Sequence, residues 1–233
     1  MLGYVRQTVV QAFRRWMGRR DLGGGGERVD IDLNGKWRYQ RFDLYQKSHY
    51  HRYEFAGTHV KPEMSCGDFA CGTGYGSIML AQRCTRVIGV DINPDVIGAI
   101  KERYRSIPNV EFVCRDLLEI SYSGVFDLIA SFETIEHIAA DRVIELLSRF
   151  AEALKPGGLL IFSVPYLQAR TKEAVAMGFH QIFDIDERTI ENWLGEVGVV
   201  PEKYYYQNYQ SHEVCRELPH RDFVVCLARK ASK

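Results

Sequence analysis

The sequence predicts an α/β protein built on a doubly wound, mostly parallel sheet, and three features of the chain lead to this prediction. From about Met64 onwards, short apolar segments of strand length alternate with amphipathic segments of helix length. A glycine-rich turn, "ACGTGYG", follows the first of these strands. Three successive strands end in acids, at Asp68, Asp91 and Asp116. Strands that alternate with helices favour parallel pairing through crossover helices.

The predicted elements follow in order along the chain. The strands are "SCGDFA", "RVIGVD", "VEFVCRD", "VFDLIAS", "LLIFSVP", "EKYYYQN" and "DFVVCLARK". The helices are "GSIMLAQRC", "NPDVIGAIKERY", "ADRVIELLSRFAEAL" and "DERTIENWLGEVG". Asn93 is expected to cap the second of these helices, with Pro94 in its first turn. The proline and glycines of "KPGG" end the third helix.

The composition is that of a soluble globular protein. The chain has 233 residues, of which 46% are hydrophobic and 26% charged, which suits one α/β domain with additions. The net charge is zero, so nucleic acid is not an expected partner. The six cysteines form no C-x-x-C pair, which is typical of reduced, buried thiols. No secretory signal or membrane-spanning run is recognisable, and we expect a cytoplasmic protein.

The N-terminal part differs from the rest of the chain. Residues 1–20 contain five arginines and no acid, and their apolar residues recur at three- and four-residue steps. We therefore predict a basic amphipathic helix over 1–22 as an N-terminal helical extension, followed by a flexible linker at 23–36 that contains "GGGG". A helical cap at 37–62 and the main domain at 63–233 follow. The N-terminal helix either contacts the inner face of an anionic membrane or packs on the domain.

The glycine turn and the acids favour a nucleoside ligand that carries positive charge. Gly72 and Gly74 allow a tight turn and a close approach of a ligand to the backbone. The dinucleotide fingerprint is absent, because Ser77 stands where its third glycine would be. Asp91 could accept ribose hydroxyls, and Asp116 could bind an adenine amino group. A pyrophosphate would be repelled by these carboxylates, whereas a sulfonium and an ammonium group would be attracted.

Five segments together carry a resemblance to class I S-adenosylmethionine-dependent methyltransferases over roughly residues 50–230. They are "DFACGTGYGS", "VIGVDINPDVI", "VEFVCRDLLEI", "FDLIASFETIEHI" and "LKPGGLLIFSVP". The resemblance implies a seven-stranded, Rossmann-like sheet whose last strand runs antiparallel. One segment departs from the family pattern. "MSCGDF" is less apolar than the usual first strand, so we expect that strand to be short or loosely packed.

The resemblance also implies how S-adenosyl-L-methionine is held. Asp68 and the turn formed by Gly72 and Gly74 would bind the methionyl part of the cofactor. Asp91 would bind the ribose and Asp116 the adenine amino group.

A second group of residues completes the implied cofactor site. Ile92 and Leu117 would sandwich the adenine ring, and Phe132 belongs to the same site. In the segment "HRYEFA", Tyr53 would fold over the cofactor with Arg52 near its carboxylate. The alternative is that Tyr53 is a core tyrosine.

The segment "SFETIEHI" would lie beside the transferable methyl group, because it follows the fourth strand. If Glu133 begins a helical turn, then Glu133, Glu136 and His137 share one face. Such a set suits Mg²⁺ or another divalent cation, with His180 as a further ligand. The pattern resembles that of O-methyltransferases of ubiquinone biosynthesis and of small-RNA 2′-O-methyltransferases.

A metal-free interpretation of the same residues stays open. Glu133 then contacts the cofactor, Glu136 caps the following helix, and His137 is a general base or a packed histidine. His180 is then a lid residue. In both interpretations we name Glu133, His137 and His180 as the candidate catalytic residues.

The resulting functional prediction is an O-methyltransferase with a hydroxylated acceptor, small or carrier-bound. The segments "HRYEFA" and "FHQIFDID" resemble methyltransferases of bacterial sugar and surface-polysaccharide pathways, so a sugar or glycan is the leading acceptor. The alternative is a quinone-pathway catechol O-methyltransferase. An RNA 2′-O-methyltransferase and an inactive cofactor-binding partner protein rank lower.

Overall fold

The computed structural model describes residues 22, 28–31, 33, 39–178 and 180–232. The predicted N-terminal helix, apart from Leu22, and most of the predicted linker lie outside these residues. In the part of the chain that is described, no helix is both long enough and apolar enough to cross a lipid bilayer.

The described residues contain seven strands, which form one mixed sheet. The strands are β1 (Ser65–Phe69), β2 (Arg86–Asp91), β3 (Val110–Cys114), β4 (Phe126–Phe132), β5 (Leu154–Pro165), β6 (Val199–Gln207) and β7 (Phe223–Lys230). Their order is β3-β2-β1-β4-β5-β7-β6. The strands β1 to β5 are parallel, and β7 runs antiparallel to both β5 and β6. The predicted fold class and the antiparallel last strand are confirmed.

The helices of the described chain flank the sheet. They are α1 (Leu44–Gly57), α2 (Tyr75–Ala81), α3 (Pro94–Arg103), α4 (Val143–Ala153), α5 (Lys172–Met177) and α6 (Glu187–Glu196). Local side-chain chemistry sets several of their starts. Asp43 and Gln46 form a reciprocal capping box at the start of α1. Asn93 caps α3 as expected, and Asp186 caps α6 through the N–H of Thr189.

The core consists of apolar layers on the two faces of the sheet. On one face, Phe69 and Phe162 are fully buried with Phe150 of α4. On the other face, Leu128 packs in a cluster that includes Leu80 of α2. β1 is a short strand of five residues, but four of them are buried in spite of its polar sequence. Successive residues of a strand point to opposite faces, so a central strand contributes to both layers.

The parallel register brings the predicted site residues to one edge of the sheet. Phe69 pairs with Val90, and Asp91 pairs with Cys114, so β1, β2 and β3 end at the same level. Phe132 pairs with Ser163 of β5 on the other side of β1. The carboxyl ends of these strands therefore form the crevice in which open α/β sheets bind ligands.

Candidate active site

The two glycines of the turn between β1 and α2 differ in their surroundings: Gly74 is packed tightly, and Gly72 is accessible. Gly72 and Gly74 have φ angles of +50° and +78°, which favour glycine. A Cβ on Gly74 would lie 2.9 Å from the Phe112 ring, so a residue with a side chain does not fit at this position. Among the described residues, a Cβ on Gly72 would have just one neighbouring atom within 4 Å, Arg28 Cδ at 3.9 Å. The backbone at Gly72 is therefore approachable by a ligand.

The Asp91 carboxylate is held in place at the end of β2. Its Oδ2 accepts the N–H of Gly72 at 3.0 Å, and its Oδ1 accepts the N–H of Asn93 at 3.0 Å. The Nη2 of Arg28 lies 3.9 Å from Oδ1. A carboxylate has about four acceptor positions, so these contacts leave capacity for ribose hydroxyls.

Asp68 is buried beneath the glycine turn. Its Oδ1 accepts the Tyr53 hydroxyl at 2.8 Å, and its Oδ2 accepts the Ser77 hydroxyl at 2.6 Å. Burial raises the pKa of Asp68 to about 6. The Tyr53 ring lies against Gly76, where a Cβ would stand 2.0 Å from a ring carbon. The structure thus places Tyr53 in the core, where it orients Asp68. The hydrogen bond from Ser77 to Asp68 was not predicted from the sequence.

The residues expected around the adenine ring lie at the ends of β2, β3 and β4. Ile92 follows β2 directly and is 61% exposed, although it is a large apolar side chain. Leu117 is buried, and Asp116 accepts the Leu118 N–H at 2.9 Å. An exposed apolar side chain at this edge offers a surface to a planar ring. Phe132 packs edge-on against Tyr53 in the interior.

Arg52 is a fully buried guanidinium on α1. Its Nε donates to Gln207 Oε1 at 2.8 Å, and its Nη1 lies 3.4 Å from Glu133 Oε1. Its carbon Cζ stands 4.1 Å from the centre of the Phe223 ring. Within the described residues, neither Nη1 nor Nη2 has a hydrogen-bond partner. Such orphaned donors fit an incoming carboxylate, as the methionyl end of the expected cofactor would supply.

Glu133 does not begin a helical turn, so that expectation is wrong. Its φ of +52° is left-handed, and the short 3₁₀ turn begins later, at Ile135. The Glu133 N–H donates to the carbonyl of Ser163, and its Oε1 accepts the Ser163 hydroxyl at 2.7 Å. The structure therefore places Glu133 beside Ser163 and Arg52, and among the described residues it is not in the group of side chains that could share a metal ion.

Three of the four predicted metal ligands come together. One ligand atom from each of Glu136, His137 and His180 lies within 4.8 Å of the others. Glu136 is fully buried, and neither of its carboxylate oxygens has a hydrogen-bond partner among the described residues. Burial, and then the charge of Glu133, raises the pKa of Glu136 well above its usual range. An unsatisfied buried carboxylate beside two imidazoles fits a cation or an acceptor hydroxyl.

His180 reaches this cluster through contacts that the sequence does not reveal. The carbonyl of Glu136 accepts the N–H groups of Gln181 and Ile182, at 2.7 and 3.2 Å. The Nδ1 of His180 shares a hydrogen bond with Gln168 Oε1 at 2.6 Å. Burial, and then His137, lowers the pKa of His180.

Comparison with known proteins shows what the chain is similar to. Residues 67–158 match the family model described as a methyltransferase domain. Trans-aconitate 2-methyltransferase from Deinococcus radiodurans is 34% identical over 107 residues, covering 45% of this chain and 39% of that protein. A malonyl-acyl-carrier-protein O-methyltransferase from Acetivibrio thermocellus is 30% identical over 105 residues, covering 44% and 36%. The aligned region spans less than half the length of either relative.

Solved structures share the fold. N-methyltransferase NodS from Bradyrhizobium japonicum, in complex with S-adenosyl-L-homocysteine, has a TM-score of 0.63 at 19% identity, covering 85% of this chain and 94% of that one. The cyclase SpnF has a TM-score of 0.68 at 14% identity, covering 97% and 96%. At such identities the likeness establishes the fold, and this fold carries more than one chemistry. Together with the matched family model, it shows a methyltransferase domain over residues 67–158 in a chain that has the fold of solved methyltransferases.

Proposed function

We propose that the chain is an S-adenosylmethionine-dependent O-methyltransferase whose acceptor is hydroxylated, with a sugar or glycan as the leading class. The observation that carries the proposal is the cluster of Glu136, His137 and His180 beyond the end of β4. It provides a carboxylate and two imidazoles for a hydroxyl group and its proton. One curated relative is named as an O-methyltransferase, whereas NodS is named as an N-methyltransferase, so the acceptor atom needs a direct test.

The cofactor would supply a methyl group on a positively charged sulfur. The residues of this chain would bind the cofactor, aim the acceptor oxygen and take its proton. Asp91 and the glycine turn would hold the nucleoside and methionyl parts, and Arg52 would bind the carboxylate. Methyl transfer is an in-line displacement, so the acceptor oxygen must be aimed at the methyl carbon. Glu136 and His137 would orient that oxygen and take its proton.

A divalent cation fits the same cluster. Glu136, His137 and His180 would hold it, and it would lower the pKa of a bound acceptor hydroxyl. Glu133 is not part of this set, because Ser163 and Arg52 contact its carboxylate. A cation would favour acceptors with two neighbouring hydroxyls, which sugars and catechols share.

The test is methyl transfer from isotopically labelled S-adenosylmethionine to panels of sugars, glycans, catechols, RNA and amines, with product atoms identified by mass spectrometry. We expect labelled methyl ethers on a polyol acceptor. The same assay with chelator-treated protein, with and without added Mg²⁺, tests the cation. Methylation of nitrogen alone, or of no acceptor despite bound cofactor, would contradict the proposal. Full activity without metal would contradict only the proposed cation and leave the methyltransferase proposal in place.

A further inference from the structure

Gln207, the last residue of β6, has a side chain whose orientation is fixed by its hydrogen bonds. The residue is fully buried. Its Nε2 donates to the backbone carbonyls of Ser48 and His212, at 2.9 and 2.6 Å. A carbonyl oxygen can only accept, so both N–H groups of the amide are used and the amide oxygen must face the other way. On that side, Oε1 accepts the Nε–H of Arg52 at 2.8 Å.

The loop after β6 is folded so that it offers one of these carbonyls. His212 has a left-handed backbone with a φ of +60°, which is uncommon for a residue other than glycine. Asn208 stabilises the loop, because its Oδ1 accepts the N–H of Ser211 at 2.9 Å. An unfavourable backbone conformation persists where surrounding contacts fix it. The hydrogen bond from Gln207 to the His212 carbonyl is such a contact.

These surroundings fix Arg52 on one edge and one face. A guanidinium can bind a carboxylate with two parallel N–H groups, through the edge that contains Nε or through the edge formed by Nη1 and Nη2. The Nε–H is already donated to Gln207, and Cζ lies over the Phe223 ring, 4.1 Å from its centre. Neither Nη1 nor Nη2 has a hydrogen-bond partner in the described part of the chain. We call the edge formed by Nη1 and Nη2 the open edge.

We propose that Gln207 is a positioning residue, which orients the open edge of Arg52 towards the carboxylate of the methionyl part of S-adenosylmethionine. The inference rests on the cofactor site of the proposed function, in which Arg52 would bind that carboxylate. Nη1 lies 3.4 Å from Oε1 of Glu133, which directly follows β4, so the open edge lies at the strand ends assigned to the cofactor. A guanidinium that is already oriented loses little rotational freedom on binding, so Gln207 raises the affinity for the carboxylate.

The experiment measures the dissociation constants of the full chain for S-adenosylmethionine and for decarboxylated S-adenosylmethionine, which lacks only the carboxylate, by isothermal titration calorimetry. The wild type should prefer the carboxylate form by about 10-fold or more, as expected for a charge-assisted, two-pronged contact. Gln207→Met introduces an apolar side chain of similar length and should reduce this preference by about 3- to 10-fold. Its affinity for the decarboxylated form should stay unchanged.

A merely structural role of Gln207 would weaken the binding of both ligands alike, and two further variants test this. Gln46→Leu is the matched control, because it removes a glutamine of α1 that is hydrogen-bonded to the backbone of Asp43 and Asp30. It should keep the wild-type preference for the carboxylate form. Arg52→Lys should lose most of that preference. Adding Gln207→Met to it should lower the preference no further, because the glutamine acts through the guanidinium.

The outcomes separate the positioning role from the cofactor site. An unchanged preference in Gln207→Met, or a further loss when this change is added to Arg52→Lys, would overturn the positioning role, and so would a lost preference in Gln46→Leu. If Gln207→Met does not fold, Gln207→Asn keeps an amide that is one carbon shorter and cannot reach all of its partners. Its preference should also fall, and a wild-type value would overturn the role.

The wild type tests the site on which the inference rests. Equal affinity of the wild type for the two ligands would overturn the assignment of Arg52 to the carboxylate, and the inference with it, but would leave the rest of the cofactor site in place. A wild-type chain that binds neither ligand would instead overturn the proposed cofactor site.

Discussion

At the scale of single residues, two carboxylates of the site, Glu133 and Glu136, are three positions apart but have different surroundings. Glu133 has Arg52 and the Ser163 hydroxyl as partners, so its charge is compensated. Glu136 is buried, and no described residue donates a hydrogen bond to its carboxylate. Neighbouring carboxylates in such different surroundings are suited to different tasks. We assign Glu133 to holding the site together and Glu136 to the acceptor.

Changing Glu136 to glutamine should abolish activity without lowering the stability of the protein. Glu136→Gln is expected to abolish methyl transfer and leave the affinity for S-adenosyl-L-homocysteine unchanged, because the residue lies on the acceptor side. The variant should be at least as stable as wild type, since burial disfavours the charged form of Glu136 and the glutamine amide carries no charge. His137→Ala should lose turnover too, and the double variant should be little worse than either. Labelled-methyl assays, calorimetry and urea unfolding measure these effects.

The matched control is Glu133→Gln, for which the opposite pattern of stability is expected. This change leaves the buried Arg52 guanidinium without its charge partner and should cost about 2–4 kcal/mol in the free energy of unfolding. If Glu136→Gln is the more destabilised of the two variants, or if it retains normal turnover, the assignment of roles is wrong.

Asp91 should dominate cofactor affinity. Asp91→Ala removes the acceptor of two ribose hydroxyls and is expected to weaken binding of S-adenosylmethionine by roughly 2–4 kcal/mol. Isothermal titration calorimetry measures this loss directly. Asp95→Ala, on the exposed start of α3, is a suitable control that should bind normally. Equal affinity of wild type and Asp91→Ala for S-adenosylmethionine would show that Asp91 does not contribute to cofactor binding.

At the scale of secondary-structure elements, the sequence predicted most of the sheet but not the local turn at the reaction centre. Apolar alternation and the cap at Asn93 depend on nearby residues, and they predicted strands and helices well. The turn after β4 depends on a left-handed backbone at Glu133, which is held by Ser163 of the adjacent strand. No pattern within "SFETIEHI" contains that tertiary contact.

The glycine turn provides a stability test at this scale. Gly74→Ala must adopt a positive φ and place its Cβ against Phe112, so we expect a loss of about 1–3 kcal/mol in the free energy of unfolding. Gly98→Ala is the matched control, because no described residue outside the backbone of α3 itself has a heavy atom within 4 Å of the added Cβ. It should stabilise the protein by up to about 1 kcal/mol. Urea unfolding that gives both variants the same sign would contradict this account.

At the scale of the whole molecule, the site joins residues that are far apart in sequence. Arg52 and Gln207 are 155 positions apart, and yet their hydrogen bond ties α1 to the end of β6. Gln207 in turn donates to the carbonyls of Ser48 and His212. The family resemblance implied candidate cofactor residues, whose spacing is local to each strand end. It did not indicate Gln207 as a partner of Arg52, because this residue comes from the antiparallel end of the sheet.

The predicted N-terminal helix remains a prediction, and it can be tested on the intact protein. Residues 1–20 carry five arginines without an acid, so the full chain should bind vesicles of anionic lipid, more strongly at low salt. A chain without these residues should not bind the vesicles but should keep its affinity for the cofactor. Co-flotation measures both chains. A truncated chain that still floats with the vesicles would contradict the prediction.

The stability of the whole domain should fall as the pH rises through the range in which Asp68 titrates. Burial raises the pKa of Asp68 to about 6, above its ordinary value near 4, so the folded state binds the extra proton. Stability is then greatest below pH 4 as far as this group is concerned, and it is lost between about pH 4 and pH 6. The loss should be about 1–3 kcal/mol.

Asp68→Asn should remove this component of the pH dependence, because the amide does not titrate. An amide side chain at this position cannot accept hydrogen bonds with both of its terminal atoms, so the variant should be less stable than wild type at low pH and closer to it at pH 8. Urea unfolding of both proteins from pH 4 to pH 8 gives the difference in the free energy of unfolding. A difference that stays constant over this range, or that grows towards pH 8, would show that Asp68 does not titrate as inferred.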